Sequence, residues 1–119
     1  MLEFYLCPRY AFSISESKVI TVECANAGCI SFPLALPQAD NCHLWSITII
    51  DSSGTPVYTN NCNVSHQVTT SRNLPPETKL DLVFDLSTKL MKVDKYRVEI
   101  QYRYTNDLQP ILTSYIDVC

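Results

Sequence analysis

Apolar and polar side chains alternate along two runs of the chain, residues 79–86 and 96–104. One face of each run is entirely apolar: Leu80, Leu82, Phe84 and Leu86 in the first, and Tyr96, Val98, Ile100, Tyr102 and Tyr104 in the second. A period of two residues is typical of a half-buried β-strand, whereas a helix would scatter these side chains around its circumference. The pattern predicts two strands that direct one row of side chains into a common core.

Shorter runs of similar character predict further strands. They cover residues 4–14, 18–24, 30–36, 44–51, 55–60, 67–72 and 111–118. Pro8, Pro33 and Pro56 mark three of these as edge strands, because proline removes a donor from the ladder. Between the strands at 44–51 and 55–60, the tetrapeptide Asp-Ser-Ser-Gly predicts a hairpin turn. Strands this short, with turns about 8 to 12 residues apart, are typical of a two-sheet sandwich or a barrel. We favour an all-β, antiparallel two-sheet sandwich of 7–8 strands. Its length suits one domain over residues 1–119.

The order of features resembles the immunoglobulin and fibronectin type III group of sandwiches. Trp45 lies early in the third clear strand, where such sandwiches bury a tryptophan. The stretch V-D-K-Y-R-V at residues 93–98 resembles the one that carries their tyrosine corner. The resemblance implies an immunoglobulin-like fold in which Tyr96 makes a structural hydrogen bond.

A second likeness covers residues 44–104. The order W-x-I-x-I-x-D-x-x-G-x-x-V, L-x-P-x-x, D-L-S and K-Y-x-V is similar to the small sandwich domains that accompany deuterolysin-type metallopeptidases, and to the sandwich proteinase inhibitors. Each element of this motif serves turn or strand geometry. The likeness implies the same fold and, through the inhibitors, a protease as one kind of partner.

Net charge and hydropathy indicate which kinds of partner and location to expect. Nine basic and twelve acidic residues give a net charge of -3, so we expect no basic face for nucleic acid. No apolar run approaches the about 20 residues that span a bilayer, so we expect no membrane insertion. The N-terminus lacks the basic start and apolar centre of a secretion signal. We therefore expect either a cytosolic protein or a secreted one whose signal has been removed, with Met1 as an added start.

Six cysteines are more than a reduced cytosolic domain of this size usually carries. We therefore expect a disulfide-stabilised fold and a secreted or periplasmic location. The hairpin turn sets a register in which Cys42 faces position 63, so a single bulge would bring it opposite Cys62. This predicts a Cys42–Cys62 disulfide. The triplet Asn63-Val64-Ser65 is a candidate glycosylation site, which fits the same location.

The other four cysteines allow three pairings. In sandwiches of the resembled group, the last strand usually runs beside an N-terminal one. The resemblance therefore favours Cys7 with Cys29 and Cys24 with Cys119.

A metal site is the alternative use of the hairpin cysteines. Cys42 and Cys62, with His43 and His66, form a donor set that suits tetrahedral zinc. In a strand, however, His43 would point away from Cys42, so the two could hardly bind one ion. We expect no cofactor and no metal.

Catalytic signatures are absent from the sequence, which has no G-x-S-x-G elbow, H-E-x-x-H or P-loop. Asp81 and Asp85 share the polar face of one strand about 13 Å apart, which is typical of a solvated face and not of an acid pair. We expect no enzymatic activity.

An apolar, proline-rich segment follows Cys29. Its candidate interaction residues are Ile30, Phe32, Pro33, Leu34, Leu36 and Pro37. Proline stiffens an extended segment, as a partner-docking or protease-inhibitory loop requires. The alternative is that these side chains fill the core beside an edge strand.

The sequence thus favours a non-catalytic extracellular protein-interaction module whose partner is a protein, such as a receptor or a protease. One alternative is a proteinase inhibitor that uses residues 33–37. Another is a carbohydrate-binding sandwich with Tyr58, Trp45 or Tyr115 as a stacking platform. The sequence leaves the oligomeric state open.

Overall fold

The computed structural model describes residues 2–35, 45–60, 71–104 and 107–119. All the regular elements in these residues are β-strands. In chain order they are β1 (Leu2–Leu6), β2 (Arg9–Phe12), β3 (Val19–Asn26), β4 (Phe32–Ala35), β5 (Trp45–Ile50), β6 (Pro56–Thr59), β7 (Ser71–Leu74), β8 (Lys79–Asp85), β9 (Asp94–Tyr104), β10 (Asp107–Leu108) and β11 (Leu112–Val118). The expected all-β class is confirmed.

These strands form a three-stranded sheet in the order β1-β3-β8, a six-stranded sheet in the order β2-β11-β9-β5-β6, and a two-stranded sheet of β4 and β7. The short β10 pairs with β9 and belongs to the larger sheet. Neighbouring strands are antiparallel except β2 and β11, which are parallel.

The N-terminal strand belongs to both larger sheets. Its first half, β1, pairs with β3, and its second half, β2, pairs with β11. The change occurs at Cys7 and Pro8, because proline has no N–H to continue a ladder. The carbonyl of Pro8 instead accepts a hydrogen bond of 2.8 Å from the N–H of Tyr115. The sequence predicted a single strand interrupted here, and the structure divides it between two sheets.

The two larger sheets enclose one hydrophobic core. Trp45, on β5, is 2% exposed and lies at its centre. Its ring centroid lies 6.0 Å from that of Phe4 and 5.5 Å from that of Phe84, both on the opposite sheet. Tyr102, on its own sheet, lies 4.7 Å away. The inward faces predicted from alternation supply most of the buried side chains: Ile20, Val22, Cys24, Ile49, Leu82, Phe84, Leu86, Tyr96, Val98, Ile100, Ile116 and Val118.

Tyr96 ties the start of β9 to the turn before it. Its hydroxyl donates a hydrogen bond of 2.9 Å to the carbonyl of Lys92. Burial raises the pKa of Tyr96, so the hydroxyl stays protonated and able to donate. The structural hydrogen bond expected of Tyr96 is confirmed.

The antiparallel strands β3 and β8 form a two-stranded ribbon. After an interruption, the same two stretches of chain pair again as β4 and β7 and extend this ribbon. Ala25 lies opposite Lys79 before the break and Phe32 opposite Leu74 after it. Asn26, 2% exposed, spans the break. Its side-chain amide donates to the carbonyls of Ile30 (2.8 Å) and Leu74 (2.9 Å), and its side-chain carbonyl accepts from the N–H of Gly28 (2.9 Å). One polar side chain thus joins the two parts of the ribbon.

Two turns follow β5 and β8, and the first of them confirms the predicted hairpin turn. Residues 51–54 connect β5 to β6, and Gly54 has a φ of 85°, which glycine adopts without a steric cost. After β8, the N–H groups of Lys89 and Leu90 both bind the carbonyl of Leu86, which makes a single helical turn. The carboxylate of Asp85 accepts a hydrogen bond from the N–H of Ser87, in the manner of an N-cap side chain.

The described residues contain eleven strands, more than the expected 7–8. The N-terminal strand is split between sheets, β7 and β4 form their own short pair, and β10 adds two residues beside β9. The split N-terminal strand and the β4–β7 pair depend on partners distant in sequence, and β10 has only two residues, so local alternation did not separate them.

The predicted disulfides are wrong for the cysteines that the structure describes. All four of these are free thiols: Cys7, Cys24, Cys29 and Cys119. Cys42 and Cys62, for which we predicted a third disulfide, lie outside the described residues. In the described part of the chain, the fold is therefore held by packing and hydrogen bonds and not by disulfides.

Strand register explains why Cys7 and Cys29 do not pair. Cys7 follows Leu6, which lies opposite Val22, whereas Cys29 follows Asn26 at the far end of β3. Val22 and Asn26 are separated by about 13 Å of strand. A disulfide requires Cα atoms within about 7 Å.

Cys24 and Cys119 are also far apart. The carbonyl of Cys119 binds the N–H of Ile14, whose own carbonyl accepts a hydrogen bond from the ammonium group of Lys18. Lys18 immediately precedes β3, and about 20 Å of strand separates it from Cys24. Cys24 is fully buried, and this burial raises the pKa of its thiol to about 11, so it behaves as an apolar core residue.

Candidate interaction face

A row of side chains crosses the outer face of the six-stranded sheet. The register places Arg9 of β2 beside Tyr115 of β11, Tyr115 beside Arg97 of β9, and Arg97 beside Ile50 of β5. Side chains directly opposite one another on neighbouring strands share a face. Four distant segments therefore produce a continuous cation–aromatic–cation–aliphatic row.

The row lines a shallow groove of about 350 Å³, which we call the cationic groove. Its lining residues are Arg9, Ile50, Asp51, Ser52, Gly54, Lys95, Tyr96, Arg97, Tyr115 and Asp117. Three cations against two carboxylates make it a positively charged site in a chain of net charge -3.

The guanidinium groups in the groove are held in place but remain accessible. Arg9 lies 3.5 Å from the carboxylate of Asp117, and Arg97 lies 3.5 Å from that of Glu99. Their side chains are 68% and 44% exposed. Exposed ion pairs of this kind contribute little to stability, so both groups can exchange their present partner for an incoming anion at small cost. Within the described ranges, no carboxylate forms an ion pair with Lys95.

The other outer face, on the three-stranded sheet, is acidic. On β1, β3 and β8 this face carries one cation, Lys79, whose ammonium group lies 3.4 Å from Glu23. Its acidic side chains are Glu3, Glu23, Asp81 and Asp85. The two outer faces therefore differ in the sign of their charge.

The 51–54 turn forms one wall of the groove and is organised by two carboxylates. Asp51 accepts hydrogen bonds from the hydroxyl (2.6 Å) and N–H (3.0 Å) of Ser53 and from the N–H of Thr55 (3.0 Å). The Ser53 hydroxyl, followed by the Thr55 N–H, holds the pKa of Asp51 below its usual value. The hydroxyl of Ser52 has the same effect on the pKa of Asp94, which joins the turn to β9.

These lowered pKa values predict an acid-sensitive turn. Because the folded pKa of Asp51 lies below its unfolded value of about 3.9, the stability it contributes is present above that pH and is lost as the pH falls further. We expect the thermal midpoint of the protein to fall below pH 4. Asp51→Asn keeps a side-chain oxygen acceptor but removes the titration, so its midpoint should fall less between pH 5 and pH 2. Circular dichroism melts of both proteins measure this, and parallel curves would contradict it.

The apolar segment after Cys29 lies partly in the core. Leu34 is fully buried and Phe32 packs against the core, whereas Ile30 is 77% exposed and Pro33 is exposed. Phe32–Ala35 pairs with β7 instead of forming a free loop. Leu36 and Pro37 lie outside the described residues.

The three candidate stacking aromatics differ in exposure. Trp45 is buried in the core, and Tyr58 is covered by Lys89, whose ammonium group lies 4.4 Å from the ring centroid. Tyr115 is 48% exposed on the flat outer face. Of the three, Tyr115 is the one that lies in the cationic groove.

Several predicted site residues lie outside the described residues: Asn63 and the donor set of Cys42, His43, Cys62 and His66. In the ranges that are described, no three or more metal-binding side chains cluster together. No helix in those ranges is long and apolar enough to cross a lipid bilayer.

Comparison with known proteins gives no relative: no protein-family model and no curated protein matches this chain.

The sequence contained only part of the signal for the cationic groove. Alternation places Lys95 and Arg97 on the polar face of one strand, and both side chains line the groove. Arg9 and Asp117 were missed because they reach the site through the parallel pairing of the first and last segments. No local pattern indicates such a pairing.

Proposed function

We propose that this chain is a non-catalytic protein-interaction module with an immunoglobulin-like fold, and that the cationic groove contacts the partner. The partner is a protein that presents acidic side chains, such as a receptor or a protease. Three features support the fold assignment: the tryptophan buried between two sheets, the Tyr96–Lys92 hydrogen bond, and the N-terminal strand shared between both sheets.

The observation that carries the functional proposal is the row of Arg9, Tyr115 and Arg97. Arginine and tyrosine are enriched among the residues that dominate binding energy at protein interfaces, because each combines a large contact area with directional hydrogen bonding. Here they lie side by side on a rigid sheet, so little conformational entropy is lost when a partner binds.

The guanidinium groups also define the chemistry of the partner. A guanidinium donates two parallel hydrogen bonds to a carboxylate, and Tyr115 offers an aromatic surface between the two arginines. An acidic segment with an apolar side chain between its carboxylates would match this order.

A secreted or periplasmic location remains a prediction from the six cysteines and the Asn63-Val64-Ser65 triplet. The four free thiols do not add support to it.

The test is affinity capture with quantitative mass spectrometry, using the wild-type chain, an Arg97→Glu/Tyr115→Ala variant and a Lys92→Glu control. Lys92 is exposed and lies outside the groove lining, so its reversal makes the same change in charge as Arg97→Glu without altering the groove. We expect a protein recovered by the wild type and by the control but not by the groove variant. The purified partner should bind the groove variant at least about tenfold more weakly, which corresponds to about 1.4 kcal/mol.

Recovery of the same proteins by all three chains would contradict the groove as the contact face. Inhibition of a protease at micromolar concentration, abolished by changes at Pro33 but not at Arg97, would favour the inhibitor reading instead.

Carbohydrate binding is a second candidate because Tyr115 is exposed on a flat face between hydrogen-bonding side chains. A glycan array separates the two proposals. Glycan binding that is lost with Tyr115→Ala but retained with Arg97→Glu would favour the sugar, since stacking requires the ring and not the added charge.

A further inference from the structure

The strand β8 has an open edge in the part of the chain that the structure describes. It pairs with β3 on one side, and no described strand lies on its other side. The N–H of Leu86 binds the carbonyl of Lys18, and the carbonyl of Thr78 binds the N–H of Asn26. The even-numbered residues of β8 therefore direct their backbone groups to β3. Because this direction alternates along a strand, the odd-numbered residues direct theirs to the open edge: Lys79, Asp81, Val83 and Asp85.

This edge lacks several of the features that block strand addition, although its outward face carries the charged side chains of Lys79, Asp81 and Asp85. It is seven residues long and contains no proline, no glycine and no bulge. By contrast, the edge strand β6 has four residues, begins at Pro56 and pairs across a register shift at Ile49/Ile50. The apolar face of β8 also has no inward-pointing charge, since Leu80, Leu82 and Phe84 occupy it. Such a strand is a template for another strand.

We propose that β8 pairs with β8 of a second copy of this chain, antiparallel about a twofold axis at Leu82. In this register Lys79 lies opposite Asp85 of the second copy, and Asp81 lies opposite Val83 of the second copy. All seven residues are paired. Leu82 meets its own equivalent in a non-hydrogen-bonded position, which agrees with its backbone groups being bound to β3.

Charge distinguishes this register from its neighbours. Moving the axis to Val83 places Asp81 opposite Asp85, and moving it to Asp81 places that carboxylate opposite itself. Opposite charges in facing positions stabilise a strand pair, whereas like charges destabilise it. The register centred on Leu82 therefore pairs all seven residues of the strand and places Lys79 opposite Asp85 at both ends.

The present partners of the charged side chains do not prevent this pairing. Lys79 lies 3.4 Å from Glu23 with its side chain 69% exposed, and an ammonium group has three donors. The carboxylate of Asp85 uses one oxygen to accept the Ser87 N–H. Pairing would extend the three-stranded sheet to six strands in the order β1-β3-β8-β8-β3-β1 and satisfy four N–H groups and four carbonyls on each copy.

The first test is the mass of the purified chain by sedimentation velocity at increasing concentration. We expect a species of twice 13.5 kDa that Val83→Pro converts to 13.5 kDa. Proline removes an N–H that points to the open edge, so no bond to β3 is lost. Val83→Thr keeps that N–H and a β-branched side chain, and it should dimerise like the wild type.

The second test is a charge exchange, which decides the question even if Val83→Pro fails to fold. Lys79→Glu alone and Asp85→Lys alone each place like charges opposite one another at both ends of the strand pair. Each should raise the dimer dissociation constant about tenfold. The double variant Lys79→Glu/Asp85→Lys restores opposite charges and should restore the wild-type constant.

A mass of 13.5 kDa at all concentrations would overturn the proposal, as would a dimer unaffected by Val83→Pro or a double variant that stays as weak as the single ones. Binding of a foreign extended peptide at the β8 edge by a monomeric wild type would assign the edge to another occupant and likewise overturn it. Arg97→Glu, on the other sheet, should leave the dimer unchanged, so this test is independent of the proposed function.

Discussion

Replacing Trp45 by alanine is expected to lower the free energy of unfolding by about 4 kcal/mol. The indole is 2% exposed and contacts aromatic rings from both larger sheets, Phe4 and Phe84 on one and Tyr102 on the other. Its removal leaves a cavity between two rigid layers of strands, which cannot collapse without breaking their ladders. The effect should therefore lie in the upper range for core truncations.

Urea unfolding followed by far-ultraviolet circular dichroism measures this loss, because Trp45 is the single tryptophan and its fluorescence disappears with it. Trp45→Phe should lose less, about 2 kcal/mol, since a ring still separates the sheets. Met91→Ala, at a side chain 71% exposed, is the surface control and should change stability by less than about 0.5 kcal/mol. A Trp45→Ala loss as small as that of the control would place the indole outside the core.

Replacing Asn26 by alanine is expected to cost about 3 kcal/mol. The substitution removes three hydrogen bonds and leaves the carbonyls of Ile30 and Leu74 and the N–H of Gly28 without that partner. An unsatisfied buried polar group costs about 1 to 3 kcal/mol, and the Leu74 carbonyl is bonded in a buried position. The extension of the ribbon by β4 and β7 should be the first part of the fold to open.

Hydrogen exchange locates the effect, because amides of β4 and β7 should lose protection before those of β3 and β8. Asn26→Asp is a sharper probe: it keeps the acceptor for Gly28 but places a carboxylate near two carbonyl oxygens, so it should destabilise at least as much as alanine. Asn73→Ala, an exposed asparagine on β7 itself, should have little effect. Equal losses for Asn26→Ala and Asn73→Ala would remove the special role assigned to Asn26.

The sequence predicted the features that depend on neighbouring residues. Local alternation or local hydrogen bonding accounts for the inward faces of β8 and β9, the turn ending at Gly54 and the burial of Trp45. These signals are read within a few residues, and the structure contains each of them.

The features that the sequence did not predict depend on pairing between distant segments. Cys7 with Cys29 and Cys24 with Cys119 were paired by analogy with other sandwiches, whereas the registers of β1, β3 and β11 place these backbones too far apart. The cationic groove combines residues 9 and 117 with the 51–54 turn, and no local pattern brings these together. The bond from Asn26 to the Leu74 carbonyl, 48 residues away, depends on the register of β4 and β7, which no local pattern indicates.

The parallel pairing of β2 and β11 determines how the molecule resists mechanical force. The ladder extends from the Pro8 carbonyl, bound to Tyr115, to the Phe12 carbonyl, bound to Cys119. Tension applied between Cys7 and Cys119 pulls two parallel strands in opposite directions along their length, so it loads these bonds in shear. Under shear these hydrogen bonds must break together and not one after another. The paired strands β2 and β11 are therefore the part of the larger sheet that bears the force.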